Sequence, residues 1–227
     1  MKQYSNIIAE RIEKISATLP QGVTLIAVSK YHPVEAVAAA YAAGQRHFGE
    51  SKAQDLVKKH EALPEDICWH FIGHLQSNKI KYIAPFVHLI HSIDSLRLLQ
   101  EVNKHAAKAE RVIPCLLQIH IAQEETKFGL TPQECRTLLD EGTWHTLHNI
   151  QLRGIMCMSS NTDDTSQIEK EFATARALFD EIRSKHFSNA PHFNIISAGM
   201  SDDYPLAIAA GSTHIRIGST IFGEPEI

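Results

Sequence analysis

Eight times along this chain, a short run of apolar and β-branched residues gives way to a longer stretch whose apolar residues recur every three or four positions. Few folds accept that rhythm. The short runs are TLIAVSK, RHFGES, CWHFIGHL, VHLIHSID, PCLLQIHIA, QLRGIMCMSS, HFNIISAG and HIRIGSTIFG. Such runs read as strands buried on both faces, and the stretches between them as amphipathic helices. In TSQIEKEFATARALFDEIRSKHF, residues Ile168, Phe172, Ala175, Phe179 and Ile182 share one helical face. Thr131, Pro132 and Glu134 supply an N-cap, a proline at the first helical position and the acid of a capping box. Gly44, Gly142 and Gly211 stand where helices close. Strict alternation implies parallel strands joined by right-handed crossovers. Eight such units in 227 residues, after an amphipathic N-terminal helix, predict an α/β fold. We read a (β/α)8 TIM barrel over residues 1–227, as a single domain. An open doubly wound sheet fits less well, because no G-x-G-x-x-G follows the first strand.

The net charge of -4 gives no electrostatic case for nucleic acid or for an anionic membrane surface. No apolar run is long enough to span a bilayer, and MKQYSNIIAERIEKI reads as an amphipathic helix, not a signal peptide. The four cysteines include no C-x-x-C pair, and three of them sit in strand-like runs. Buried free thiols in a reduced, cytoplasmic setting follow. Lys58 with Lys59, and Lys79 with Lys81, are expected on solvated helix faces. Fourteen histidines invite a metal reading, yet no H-E-x-x-H and no His/Cys cluster appears. Structural roles are expected for them. His70 and His74, four apart in one apparent strand, are expected to share a face.

In a barrel of this kind, chemistry collects where strands end. Most strand ends here carry the glycine and hydroxyl residues that turns use anyway. Lys30, at the end of the first strand, is different. Alone, it reads as a lysine that extends to solvent. Aimed into a barrel mouth, it would be partly desolvated, which lowers an ammonium pKa and exposes a nucleophilic amine. The last two units favour the second reading. SAGMSD ends the seventh strand, with Ser201 as a candidate N-cap, and RIGST ends the eighth. Loops after these two strands are the recurrent phosphate site of the fold. An imine-forming amine facing a phosphate anchor fits pyridoxal 5'-phosphate (PLP). Arg216 shares an inward face with Gly218 and is expected to reach the ring nitrogen or the phosphate. At the ring nitrogen, it would blunt the electron sink that carbanion chemistry needs. Replacing Arg216 or Ser219 is expected to weaken retention of the cofactor and spare the fold.

The stretches AVSKYHPVEAV, HFGESKAQD, WHFIGHLQSNK, HSIDS, TKFGL, LRGIMCM, SAGMSDD and AAGSTHIRIGSTIFGE span nearly the whole chain. Together they resemble the pyridoxal phosphate homeostasis protein family. The resemblance implies a barrel like the N-terminal domain of alanine racemase, with PLP held as a Schiff base on Lys30. It places Ser197, Gly199, Gly218 and Ser219 at the phosphate positions, Arg216 at the arginine of R-I-G-[ST], and Met156 near the ring. Three departures stand out. Ser51 replaces the asparagine of the family's G-E-N, Ala198 the methionine of S-M-G-M-S, and Phe128 the serine of T-K-S-G. The implied role is intracellular PLP homeostasis, buffering or delivering the cofactor without catalytic turnover. The implied partners are PLP itself and, transiently, PLP-dependent apoenzymes; neither nucleic acid nor membrane is expected, and the chain is expected to be a monomer. A racemase of this type also needs a C-terminal β-domain with an opposing tyrosine, and this chain ends four residues after Gly223. A weak amino-acid racemase or lyase is the alternative. A phosphosugar isomerase or aldolase is a more distant one, since aldolase lysines generally sit on later strands.

Overall fold

The structure is a computed structural model and describes residues 2–123 and 128–224. Helix α1 (Lys2–Ser16) precedes eight strands: β1 (Thr24–Val28), β2 (His47–Glu50), β3 (Cys68–Phe71), β4 (Leu89–Ile93), β5 (Ile113–His120), β6 (Ile150–Met158), β7 (Ile195–Ser197) and β8 (His214–Ile217). They form one closed parallel barrel in sequence order, with β8 returning to pair with β1. The connecting helices are α2 (Val34–Ala42), α3 (Ala53–Ala62), α4 (Ile80–Ile83), α5 (Leu96–Lys108), α6 (Pro132–Asp140), α7 (Thr165–His186) and α8 (Tyr204–Ala209), and a last turn, α9 (Ser219–Phe222), follows β8. The (β/α)8 barrel read from the alternation is therefore present.

Side chains sort by the two-residue period of a strand. Leu25, Ala27, Phe48, Trp69, Phe71 and Ile90 face outward into the large core shared with the helices. Leu89, Leu116, Met156 and Ile195 form a separate buried cluster inside the barrel. Polar residues share that interior: His70, His91, Gln118, Ser197 and Arg216 are all buried. Helix α7 buries the five residues its spacing marked. Helix α6 opens with the capping box, in which the Thr131 hydroxyl accepts from the Glu134 N–H and the Glu134 carboxylate accepts from the Thr131 N–H.

Five expectations need correction. The eighth strand stops at Ile217, because Gly218 breaks its ladder and Ser219–Phe222 coils into α9. The third stops at Phe71. A Cβ at Gly73 would lie 2.2 Å from the Ser51 carbonyl oxygen, so the backbones meet where a longer strand would run. His74 is therefore exposed beyond the strand while His70 is buried within it, and the two share no strand face. Asp203, not Ser201, is the N-cap of α8. Lys59 is not solvated. It follows Ala53 and Leu56 at a spacing of three on the buried face of α3, with 5% of its surface exposed.

Candidate functional site

Lys30 stands on a turn just past β1. The Ser29 N–H continues the ladder to the Gly49 carbonyl at 3.0 Å, and the His32 N–H closes back on the Ser29 carbonyl at 3.0 Å. This four-residue turn carries Lys30 at its second position and Tyr31, with φ of 68°, at its third. A left-handed third residue is the mark of a type II turn, where glycine is the usual occupant. The turn lifts Lys30 to the rim, and its side chain is exposed. The burial anticipated for this lysine is absent, because the turn holds it at the rim. Its ammonium lies 5.9 Å from the centre of the Tyr31 ring, and that of Lys52 lies 5.3 Å from the same ring.

Under this turn lies a buried charge pair. The Ser29 hydroxyl donates to Glu50 Oε1 at 2.6 Å. The Lys59 ammonium donates to the Ser29 carbonyl at 2.7 Å and to Glu50 Oε1. Lys59 thereby ties α3 to the ends of β1 and β2, one residue below Lys30.

The loops after β7 and β8 meet beside that turn. Ser219 and Ser201 are joined by a hydroxyl–hydroxyl hydrogen bond of 3.1 Å. Gly199 has φ of 95°, and a Cβ there would lie 2.8 Å from Ala207 Cβ and Tyr204 Cα, so only glycine fits against α8. Its carbonyl accepts from the Arg216 N–H at 2.9 Å. Buried Asp203 holds the loop in shape, accepting from the Met200 N–H at 2.6 Å and from the Ser159 hydroxyl at 2.5 Å. A Cβ at Gly218 would sit 3.3 Å from the Val28 carbonyl oxygen, so the β8 loop abuts the end of β1. His32 stacks on Phe222 of α9, with ring centres 5.1 Å apart. The turn that carries Lys30 and the two loops therefore share one edge of the barrel. In the first turn of α9, the N–H groups of Ser219 and Thr220 have no carbonyl of that helix to bond.

Arg216 and Ser197 lie deeper. The Arg216 guanidinium donates through Nη1 to the Ser197 carbonyl and hydroxyl, both at 2.7 Å, and through Nη2 to the Cys157 carbonyl at 2.9 Å. Burial pushes its pKa down. It cross-links β6, β7 and β8, so the expectation that its loss would spare the fold is revised. Arg216→Ala leaves three buried acceptors without this donor. Each orphaned group costs about 1–3 kcal/mol, so a clearly lower urea midpoint is expected. An unchanged midpoint would mean that water replaces the guanidinium without penalty. Met156 pairs in register with Ser197 and is buried in the interior cluster, with Met158 half-buried above it toward the mouth. Ser51 is half-buried at the end of β2, its backbone against Gly73.

The chain matches the family model of the alanine racemase N-terminal domain over residues 5–225. The pyridoxal phosphate homeostasis protein of Helicobacter pylori is 37% identical over 227 residues, covering 98% of both chains. That of Escherichia coli is also 37% identical, covering 98% of this chain and 97% of its own. This chain belongs to the pyridoxal phosphate homeostasis protein family. The relatives carry the name of homeostasis proteins, not of enzymes. PipY of Synechococcus elongatus, solved with PLP bound, matches with a TM-score of 0.86 at 36% identity, over 95% of this chain and 100% of PipY. Alanine racemase from E. faecalis matches at 0.74 with 16% identity, over 98% of this chain and 59% of the racemase, which shows a common barrel.

Within the homeostasis family's motifs, Ala198 is buried and Phe128 is exposed, stacking on His74 at 4.5 Å. Thr126 and Lys127 of the T-K-F-G stretch lie outside the described residues. Two residues escaped sequence reasoning. Lys59 was masked by its neighbour Lys58, although its spacing from Ala53 and Leu56 was the available signal. Asp203 was passed over for Ser201, and only the local backbone distinguishes them. Among the described residues, no helix is long and apolar enough to cross a membrane.

Proposed function

We propose that this chain binds PLP on Lys30 and holds it for transfer to other proteins, acting as one domain over residues 1–227 without catalytic turnover of its own. The observation that carries this reading is the meeting, at one edge of the barrel, of the turn that bears an accessible amine and two glycine-bearing loops. Gly218 touches the end of β1, and Ser201 and Ser219 join the loops. When bound, PLP supplies an aldehyde that condenses reversibly with a primary amine. Lys30 is that amine. Gly199, Gly218 and Ser219 frame the phosphate position, where the first-turn N–H groups of α9 donate to an anion. Arg216 sets a positive charge below it and holds Ser197 in place. Ser51 and Met156, which the family's motifs put near the cofactor, are assigned to the same site.

The exposure of Lys30 separates carriage from catalysis. Chemistry on amino acids gains from a site closed to water. An amine on an open rim favours hydrolysis and exchange, which are the reactions a carrier needs. Tyr31, Phe128 and Met200 are exposed in the loops after β1, β5 and β7, on the face where the site opens. Apolar side chains placed there suit transient contact with PLP-dependent apoenzymes by a monomer. A cytoplasmic location suits four cysteines that are all free thiols.

The purified protein is expected to be yellow. Borohydride reduction and peptide mapping should place the pyridoxyl group on Lys30, and a label on Lys52 or Lys79 with Lys30 unmodified would move the site. Loaded protein should restore activity to an apo-transaminase, while L-alanine incubated with it alone keeps its configuration. Sustained, Lys30-dependent racemisation would replace carriage with enzymatic action.

A further inference from the structure

The opposite end of the barrel holds a cluster that the cofactor reading leaves unused. His47 opens β2, His70 lies in β3, and His88 directly precedes β4. His47 Nδ1 lies 3.0 Å from His70 Nε2. The His88 ring centre is 5.8 Å from that of His47 and 5.3 Å from that of His70. One ring nitrogen from each of the three falls within 4.8 Å of the other two. We propose that His47, His70 and His88 bind a divalent transition-metal ion, of which zinc is the type, at the N-terminal end of the barrel.

The chemistry of the donors supports this assignment. Metals take neutral imidazole, and burial pushes the pKa of His47 down and that of His70 well below the ordinary value. Zinc–nitrogen bonds of about 2.1 Å put tetrahedral ligands about 3.4 Å apart, close to the separation His47 and His70 already show. His70 and His47 are held by barrel strands, and exposed His88 is free to turn its ring toward them. The outer shell is also in place. His70 Nδ1 lies 2.9 Å from His91 Nε2, and His91 Nδ1 lies 2.9 Å from the Ser197 hydroxyl. With His70 Nδ1–H donating to His91, the Nε2 lone pair of His70 points at the cluster, which is the tautomer a metal requires.

The charge count defines the fourth ligand. The cluster includes no carboxylate, and Arg111 and Arg153 act on His88 as positive neighbours. A hydroxide or chloride in the fourth position would offset the ion's charge. A cavity of about 370 Å³, lined by His88, Leu89, Arg153, Thr213 and His214 among others, gives it access. Imidazole ligands with no thiolate or carboxylate suit zinc, cobalt and nickel better than magnesium or calcium.

The test uses untagged, chelator-treated and dialysed full-length protein titrated with cobalt(II) chloride, followed by visible absorption and then by zinc competition. One equivalent should bind with the intense absorption of four-coordinate cobalt, and zinc should bleach it. His88→Ala and His47→Ala should each weaken binding at least about tenfold. His70→Gln, checked for fold by circular dichroism, should do the same. His148→Ala, at an exposed histidine elsewhere, and Cys68→Ser, at the register partner of His47, should leave it unchanged. The proposal falls if no saturable binding occurs, which would leave only a hydrogen-bonded cluster of neutral imidazoles. It also falls if either His88→Ala or His47→Ala keeps wild-type affinity, or if Cys68→Ser removes the metal. The outcome is independent of whether Lys30 carries PLP.

Discussion

Lys59→Ala is expected to cost about 3–5 kcal/mol of stability and, at the same time, to loosen the turn that carries Lys30. The pair it breaks is almost fully dehydrated, with 6% of the Lys59 side chain and none of the Glu50 side chain exposed. Among the described residues, removing the ammonium leaves the Ser29 hydroxyl as the one remaining side-chain donor to the carboxylate. Glu50 Oε2 is buried with no partner among the described residues even in the intact protein, so no second protein donor is in place to take up the charge. For a chain of this size each kcal/mol moves the melting temperature by roughly 2–4 °C, so a drop on the order of 10 °C is expected by calorimetry. Glu50→Ala should cost a similar amount, since it strands the ammonium. The pair Glu50→Leu with Lys59→Met should recover much of the loss, because apolar packing does not carry the desolvation penalty of two charges. The functional consequence separates these variants. The Ser29 carbonyl accepts from both Lys59 and the His32 N–H, and only the second bond survives in the apolar double variant. Stability should therefore return while PLP still leaves faster than from the wild type. A Lys59→Ala protein within about 1 kcal/mol of wild type would show that Glu50 is not left as an uncompensated buried charge.

The barrel was legible because its signal is repeated. Each strand–helix unit carries its own periodicity, and an error of a few residues in one does not disturb the others. Boundaries were less legible. HIRIGSTIFG is apolar enough to be a strand throughout, and only the backbone at Gly218 decides that its second half coils. The position of Lys30 followed from strand order, but its exposure did not, since it depends on Tyr31 adopting a left-handed conformation that the sequence does not advertise. Arg216 was placed on the inward face correctly, yet its three acceptors belong to β6 and β7, and no local pattern reports them. The histidine cluster was invisible for the same reason. His47, His70 and His88 are separated by long stretches of chain, with no metal-binding spacing. They meet only because β2, β3 and β4 are consecutive neighbours in the barrel.

Lys30→Arg should abolish covalent attachment of PLP while leaving the fold untouched. Arginine keeps the positive charge beside the loops after β7 and β8 but cannot form an imine, because its guanidinium stays protonated in proteins. Borohydride should then fix no pyridoxyl group anywhere in the chain, and the visible band should vanish. Lys30 is exposed, and its ammonium approaches the ring of Tyr31, itself exposed. Surface substitutions of that kind usually change stability by less than about 0.5 kcal/mol, so the urea midpoint should hold. On the proposed phosphate role of the loops after β7 and β8, weak binding of PLP should persist, readable by equilibrium dialysis, and inorganic phosphate should compete with it. Adding Ser219→Ala to Lys30→Arg should lower that remainder further, since Ser219 lies beside Ser201 where the two loops join. Transfer to an apo-transaminase should fall with covalent loading, because the exchange depends on the amine and not on the loops. A Lys30→Arg protein that still takes up one equivalent of PLP in a borohydride-reducible form would place the reactive amine elsewhere. Lys52 would then be the first lysine to examine, since its ammonium lies over the same Tyr31 ring.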